Sequence, residues 1–169
     1  MIKIHKEITN TSSVAYYSVF LALMLIMSYV ENQVSFLIPV YGVKLGLCNV
    51  VVLVALYTFG TNFALIINMV RIFLVGVLFG NAYGMIYSFA GGIVSFVLMY
   101  IAKRTNLFSK MGVSIIGALG HNVAQIVVAT ILLKNSLISL YLPIVLISAI
   151  LTGGLIGIAG GIVCKKMHL

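Results

Sequence analysis

The residues of this sequence best placed to do chemistry are polar groups set inside apolar runs. Arg71 stands in the middle of IINMVRIFLVG, with Asn68 about one helical turn before it. GALGHNVAQ carries His121, Asn122 and Gln125, and the four-residue step from His121 to Gln125 puts both on one face of a helix, with Asn122 beside them. GVKLGLCN adds Lys44 and, deeper in its segment, Asn49. Cations, an imidazole and amides at such positions suit the capture of an anionic or strongly polar solute, with Lys44 and Arg71 as electrostatic anchors and the others as orienting hydrogen-bonding groups.

Hydrolytic and metal chemistry fit poorly. The chain has no aspartate and only two glutamates, Glu7 and Glu31. There is thus no acidic pair for hydrolysis and no carboxylate cluster to hold Mg²⁺ on a diphosphate. His121 has no cysteine, acid or second histidine near it, whereas zinc requires three or four ligands. No metal, cofactor or catalytic residue is expected. The GxxxxGK[ST] loop is missing, so the chain is not expected to hydrolyse ATP.

A charge at the centre of a bilayer costs about 2.5–3.5 kcal/mol on insertion scales, and an acid partner would normally offset it. Glu7 precedes the first apolar run and Glu31 ends it, so neither is expected to reach the depth of Arg71. Two readings remain. Arg71 is pinned by backbone carbonyls to lock the helices, or it receives an anion from outside.

The elements that must position these residues are membrane helices. Hydrophobic residues make up 63% of the 169 and charged ones 7%, against roughly 25% charged in a soluble domain. Breaks at polar, glycine and proline clusters leave six apolar segments, roughly 14–31, 44–59, 62–79, 83–102, 112–133 and 138–163. These predict an all-α integral membrane protein: a tail over 1–13 and one six-helix transmembrane domain over 14–169. The second segment is short enough for its start to be irregular, and Gly60-Thr61-Asn62 is a very tight break. The first run continues past the length of a signal peptide and has no small-x-small site after it, so it is expected to stay.

Lys3 and Lys6 precede the first span, Lys103, Arg104 and Lys110 lie between the fourth and fifth, and Lys165 and Lys166 follow the sixth. With six alternating spans all of these share one side, which the positive-inside rule makes cytoplasmic, together with both termini. Lys44 and Lys134 fall on the other face. The net charge of +8 is then topological signal and contact with anionic headgroups of the bilayer. Nucleic acid is not expected as a partner, because the cations are spread over loops. Cys48 and Cys164 lack the spacing of a metal site or redox pair and are expected to be structural.

The linker ENQVSFLIPVYGVKLG is either a lid partly in the membrane or an interfacial loop with its aromatics at headgroup level. Gly153, Gly157 and Gly161 recur at four-residue steps, as do Gly76, Gly80 and Gly84. Most of this small-residue pattern is expected to serve packing within the domain. Ser18 and Ala22 in the first span are the best candidates for a partner contact.

Over GVKLGLCNVVVLVALYTFG, VRIFLVGVLFG, YSFAGGIVSFVLM, GVSIIGALGHNVAQ and YLPIVLISAILTGGLIG the sequence resembles the heptaprenyl diphosphate synthase component I family, also called the Gx transporter family. GVKLGLxN and GAxxHNxxQ in combination carry the resemblance, which runs over nearly the whole chain after the tail. Members of that family look like the substrate-binding S components of energy-coupling factor transporters. The resemblance implies a six-helix bundle in a bacterial cytoplasmic membrane, a small vitamin-like solute bound from outside, a membrane coupling subunit docked on helix one, and separate ATPases. Ser18 stands where the usual helix-one pattern has an alanine, a mild change in size. The family's enzymatic label implies at most a non-catalytic accessory subunit in an isoprenoid or redox pathway, since the acids that hold a Mg²⁺-diphosphate are missing.

Overall fold

Helices account for nearly all of the chain that the computed structural model describes, residues 10–37, 46–79 and 82–167. They are α1 (Asn10–Leu37), α2 (Cys48–Thr58), α3 (Thr61–Phe79), α4 (Ala82–Thr105), α5 (Lys110–Leu133) and α6 (Leu142–Met167), with a 3-10 turn (Ser136–Tyr141) leading into α6. Among the described residues, five apolar stretches are long enough to cross a bilayer: Val14–Glu31, Thr61–Leu78, Gly84–Thr105, Lys110–Leu133 and Ser136–Met167. The protein is a multi-pass helical membrane bundle. Many of its large apolar side chains face outward, among them Val19, Ile26, Phe73, Val77, Leu151 and Leu155. That arrangement is stable where the surroundings are hydrocarbon.

α2 differs from the span expected over 44–59. It has 11 residues, about 16 Å of helix against a hydrocarbon core of about 30 Å. Its start is set by Gly46, whose φ of +70° is left-handed and breaks any continuation toward the N-terminus. At the other end Gly60, with φ +98°, turns the chain so that its N–H and that of Phe59 both reach the Ala55 carbonyl, at 3.1 and 2.9 Å. The Gly60-Thr61-Asn62 break is therefore a helix stop followed at once by α3.

This short helix is the centre of the molecule. Val51 to Leu56 are all buried, and α2 packs against each of the other five helices. Around it α3, α4, α5 and α6 follow one another as neighbours. Among the described residues α1 touches only α2 and α3, which leaves it the most peripheral element.

Glycine faces bring α5 and α6 together. A Cβ on Gly153 would lie 2.9 Å from the Ile115 Cα, and one on Gly157 only 2.6 Å from the Met111 Cα. Both glycines thus serve packing inside the bundle. Gly161 meets nothing within 4 Å, and its neighbour Gly160 instead seats the Leu53 side chain of α2. Gly80 lies outside the described residues.

At the end of the bundle that carries Lys103 and Lys110, the core is aromatic. Tyr17 stacks on Phe63 at 4.2 Å and Phe59 on Phe63 at 4.6 Å, while Phe20 meets both phenylalanines edge-on. Lys103 donates to the Leu56 carbonyl and sits 4.8 Å above the Tyr57 ring, with Lys110 5.5 Å from the same ring. A cation placed on the last carbonyls of α2 also meets the negative end of its dipole.

Candidate functional site

The positive end of α2 meets an acid. Ser28 and Glu31, three residues apart on α1, face the start of α2, and both are buried. The Glu31 carboxylate accepts the Gly46 N–H through one oxygen, and its other oxygen lies 3.6 Å from the Cys48 thiol. Ser28 Oγ is 2.9 Å from the same sulfur. A helix that begins inside a membrane has N–H groups with no intrahelical partner, and a carboxylate there answers both the donors and the dipole. Gly46 is required twice over, because a Cβ on its left-handed backbone would also stand 3.1 Å from Asn49 Nδ2.

Arg71 approaches that thiol from α3. Its charge is within electrostatic reach of Cys48, as that of Glu31 is from α1. Glu31 and Arg71 thus approach Cys48 from different helices. Because α2 begins at Cys48, its first turn sits level with Glu31. Arg71 is 7% exposed, and its Nε has no hydrogen-bond partner among the described residues.

From Arg71 the polar layer continues across α4 to α5. Asn68, one turn away on α3, donates to the Gly92 carbonyl at 3.2 Å. The adjacent Gly91 is where α5 comes close, since a Cβ there would be 2.9 Å from His121 Cε1 and 3.1 Å from Gln125 Cγ. His121, Asn122 and Gln125 are all buried. Asn122 Oδ1, Gln125 Oε1 and, back on α2, Asn49 Nδ2 are buried without a hydrogen-bond partner among the described residues, as are the hydroxyls of Ser95 on α4 and Ser114 on α5. Arg71 and His121 each lie roughly 15 Å along their helices from the basic end, which is mid-depth in the bilayer.

Of the residues singled out from sequence, Asn49, Arg71, His121, Asn122 and Gln125 lie on helices that adjoin one another around α2. Lys44 lies outside the described residues, as does much of the α1–α2 linker. Ser18 and Ala22 are exposed on α1, and Ser18 returns its hydroxyl to the Val14 carbonyl at 2.9 Å. Sequence reasoning left out Ser28, Glu31 and Cys48. The available signal was the Ser28-x-x-Glu31 step on an otherwise apolar helix, pointing at a cysteine that opens the next one. Among the described residues no group of three His, Cys, Asp or Glu could hold a metal ion.

Fold and site together define a multi-pass membrane protein with a buried polar layer at mid-depth and no arrangement of acids for catalysis among its described residues. The family model for heptaprenyl diphosphate synthase component I matches residues 20–163, and the chain belongs to that family. Its name is that of one component of a synthase. Searches of curated proteins and of solved structures give no match.

Proposed function

We propose that this protein is the substrate-binding membrane component of an energy-coupling factor type transporter, taking up a small polar, vitamin-like solute across a bacterial cytoplasmic membrane. The observation that carries this reading is the mid-depth layer in which Arg71 Nε, Asn49 Nδ2, Asn122 Oδ1 and Gln125 Oε1 are buried and unmet. Buried polar groups are costly unless bonded, and most so in hydrocarbon, so such a layer is expected where a solute supplies the partners. Arg71, Asn49, Asn122 and Gln125 contact the solute, His121 shapes its site beside Gln125, and the charge of Lys44 helps to attract it. The protein does not itself hydrolyse ATP. A membrane coupling subunit docks on the exposed face of α1 at Ser18 and Ala22, and separate ATPases drive release.

Capture of the coupling subunit in mild detergent tests this directly. Wild-type protein retains a coupling subunit, and the Ser18→Leu, Ala22→Leu double variant loses it while remaining monodisperse. Equal recovery by both proteins, or none by either, contradicts the transport reading.

The family name favours a second reading, a non-catalytic membrane subunit that serves an isoprenoid or redox enzyme. On that reading the same pull-down brings down a soluble synthase, and changes at Ser18 and Ala22 leave its recovery unaltered.

A further inference from the structure

The basic end of the bundle is rich in cations and poor in acids. Lys103 and Arg104 close α4, Lys110 opens α5, and Lys165 and Lys166 close α6. These helix ends lie together, because residues 106–109 link α4 to α5 directly and Gly157 of α6 packs on Met111 of α5. The chain has two acids. Glu31 is buried at the opposite end of α2, and Glu7, outside the described residues, would answer at most one charge of the five.

Two of the five cations share one seat. Lys103 Nζ stands 4.8 Å from the centre of the Tyr57 ring and Lys110 Nζ 5.5 Å from it, and both side chains are half-buried. The Leu56 carbonyl, which takes a hydrogen bond from Lys103, and the ring hold these ammonium groups in place and offset part of their charge. Neither is an anion, and each ammonium has three donors to place. Lys110 also stands at the start of a helix with no acid in its first turn, so its charge adds to the positive end of the helix dipole instead of cancelling it.

The surroundings of the pair say what kind of anion fits. The chain turns at Asn106, with φ +55°, and then presents Leu107 at 82% exposure and Phe108 at 47%, between Arg104 and Lys110. Ile101 and Met111 are exposed on the adjoining ends of α4 and α5. Apolar side chains set among cations at the end of a membrane span belong at the boundary of headgroups and acyl chains. Free phosphate or an acidic soluble protein would use the cations alone, whereas a lipid uses both.

We propose that Lys103 and Lys110, gathered by Tyr57, form a site for the phosphate headgroup of an anionic phospholipid, whose acyl chains cover the apolar surface at Ile101, Leu107 and Phe108. The site is separate from the mid-depth layer and does not depend on the solute-binding reading.

The experiment is native mass spectrometry of the full-length protein in detergent, titrated with dioleoyl phosphatidylglycerol or with dioleoyl phosphatidylcholine. Phosphatidylglycerol adds to the wild type at the lower concentration, and the Lys103→Gln, Lys110→Gln double variant weakens that addition by about 30-fold. The Lys3→Gln, Lys6→Gln double variant, which removes the same charge from the tail, leaves it unchanged. Tyr57→Phe keeps the lipid, while Tyr57→Leu, with every charge present but no ring, binds it more weakly. Should the Lys103, Lys110 variant fail to fold, the ranking of the two lipids and the Tyr57 pair still decide the matter. Equal retention of the two lipids, or equal losses in the two lysine double variants, overturns the site in favour of diffuse charge. Displacement of the lipid by inorganic phosphate at equal concentration assigns the pair to the free anion and overturns the lipid. Lipid retention untouched by the Lys103, Lys110 changes, with loss of a copurifying acidic protein instead, overturns it in favour of a protein partner.

Discussion

At the basic end of the bundle the charged groups find partners within the chain, while the buried hydroxyls of Thr58 and Ser114 have no hydrogen-bond partner among the described residues. Lys103 donates to the Leu56 carbonyl, Thr105 Oγ1 to the Ala102 carbonyl at 2.8 Å, and the Tyr57 ring lies between Lys103 and Lys110. The rest of that end is rings and aliphatic side chains packed on one another. Half a membrane away, Arg71, Asn49, Asn122 and Gln125 are buried as deeply and keep unmet donors and acceptors. The two regions are joined by α2, whose C-terminal carbonyls take Lys103 and whose N-terminal side takes Glu31. On the proposed function, the contrast separates residues that hold the bundle from residues that meet a solute. A bundle optimised for stability alone would have filled the second region with apolar side chains.

Mutations should therefore fall into two classes, and the largest effect should come from the packing class. Gly157→Leu places side-chain atoms where the Met111 backbone lies, 2.6 Å from the position of the first added carbon, and α5 cannot retreat without parting from α4. Loss of the monodisperse peak in size-exclusion chromatography is the expected outcome. Next comes Arg71→Ala, which removes a charge-assisted hydrogen bond to the solute and should weaken binding by about 10- to 150-fold, corresponding to about 1.5–3 kcal/mol. Its chromatographic profile should stay that of the wild type, in contrast to Gly157→Leu. Phe63→Ala opens a gap between Tyr17, Phe20 and Phe59. It should lower stability by about 1–3 kcal/mol, less than in a soluble core because lipid reduces the transfer part of the cost. Solute affinity, measured where the variant is folded, should not change.

The smallest effect is the most diagnostic of the contrast. Asn122→Leu removes an unmet oxygen from the interior and should stabilise the solute-free protein by about 1 kcal/mol, seen as a raised Tm, while weakening solute binding. A variant that is more stable and less competent is what a site held open for a ligand predicts. If Asn122→Leu instead lowers the Tm, the amide is part of the bundle's own hydrogen bonding.

Much of this was legible in the sequence, for reasons that can be assigned residue by residue. His121, Asn122, Gln125 and Arg71 stand out because polar residues inside apolar runs have few neutral explanations in hydrocarbon. The packing role of Gly153 and Gly157 follows from their four-residue step. What stayed hidden depends on where α2 begins. Nothing in GVKLGLCN says that helix starts only at Cys48, since the left-handed backbone of Gly46 belongs to the folded chain and not to the residue type. Without that boundary Glu31 reads as an interfacial acid and Cys48 as an ordinary buried thiol. With it, Cys48 becomes the group that Glu31 and Arg71 both approach. The central position of α2 was equally invisible, because a short apolar segment looks the same whether it faces lipid or five other helices.

The central claim is that the mid-depth layer is a receptor for a small molecule. Native mass spectrometry of the purified protein, released gently from detergent and compared with Arg71→Ala, tests it most directly. The account predicts a small molecule retained by the wild type and lost by an Arg71→Ala protein that is otherwise folded and monodisperse. A molecule held equally by both proteins, a wild type that carries none, or an arginine variant that unfolds would contradict it and return Arg71 to the residues that hold the bundle together.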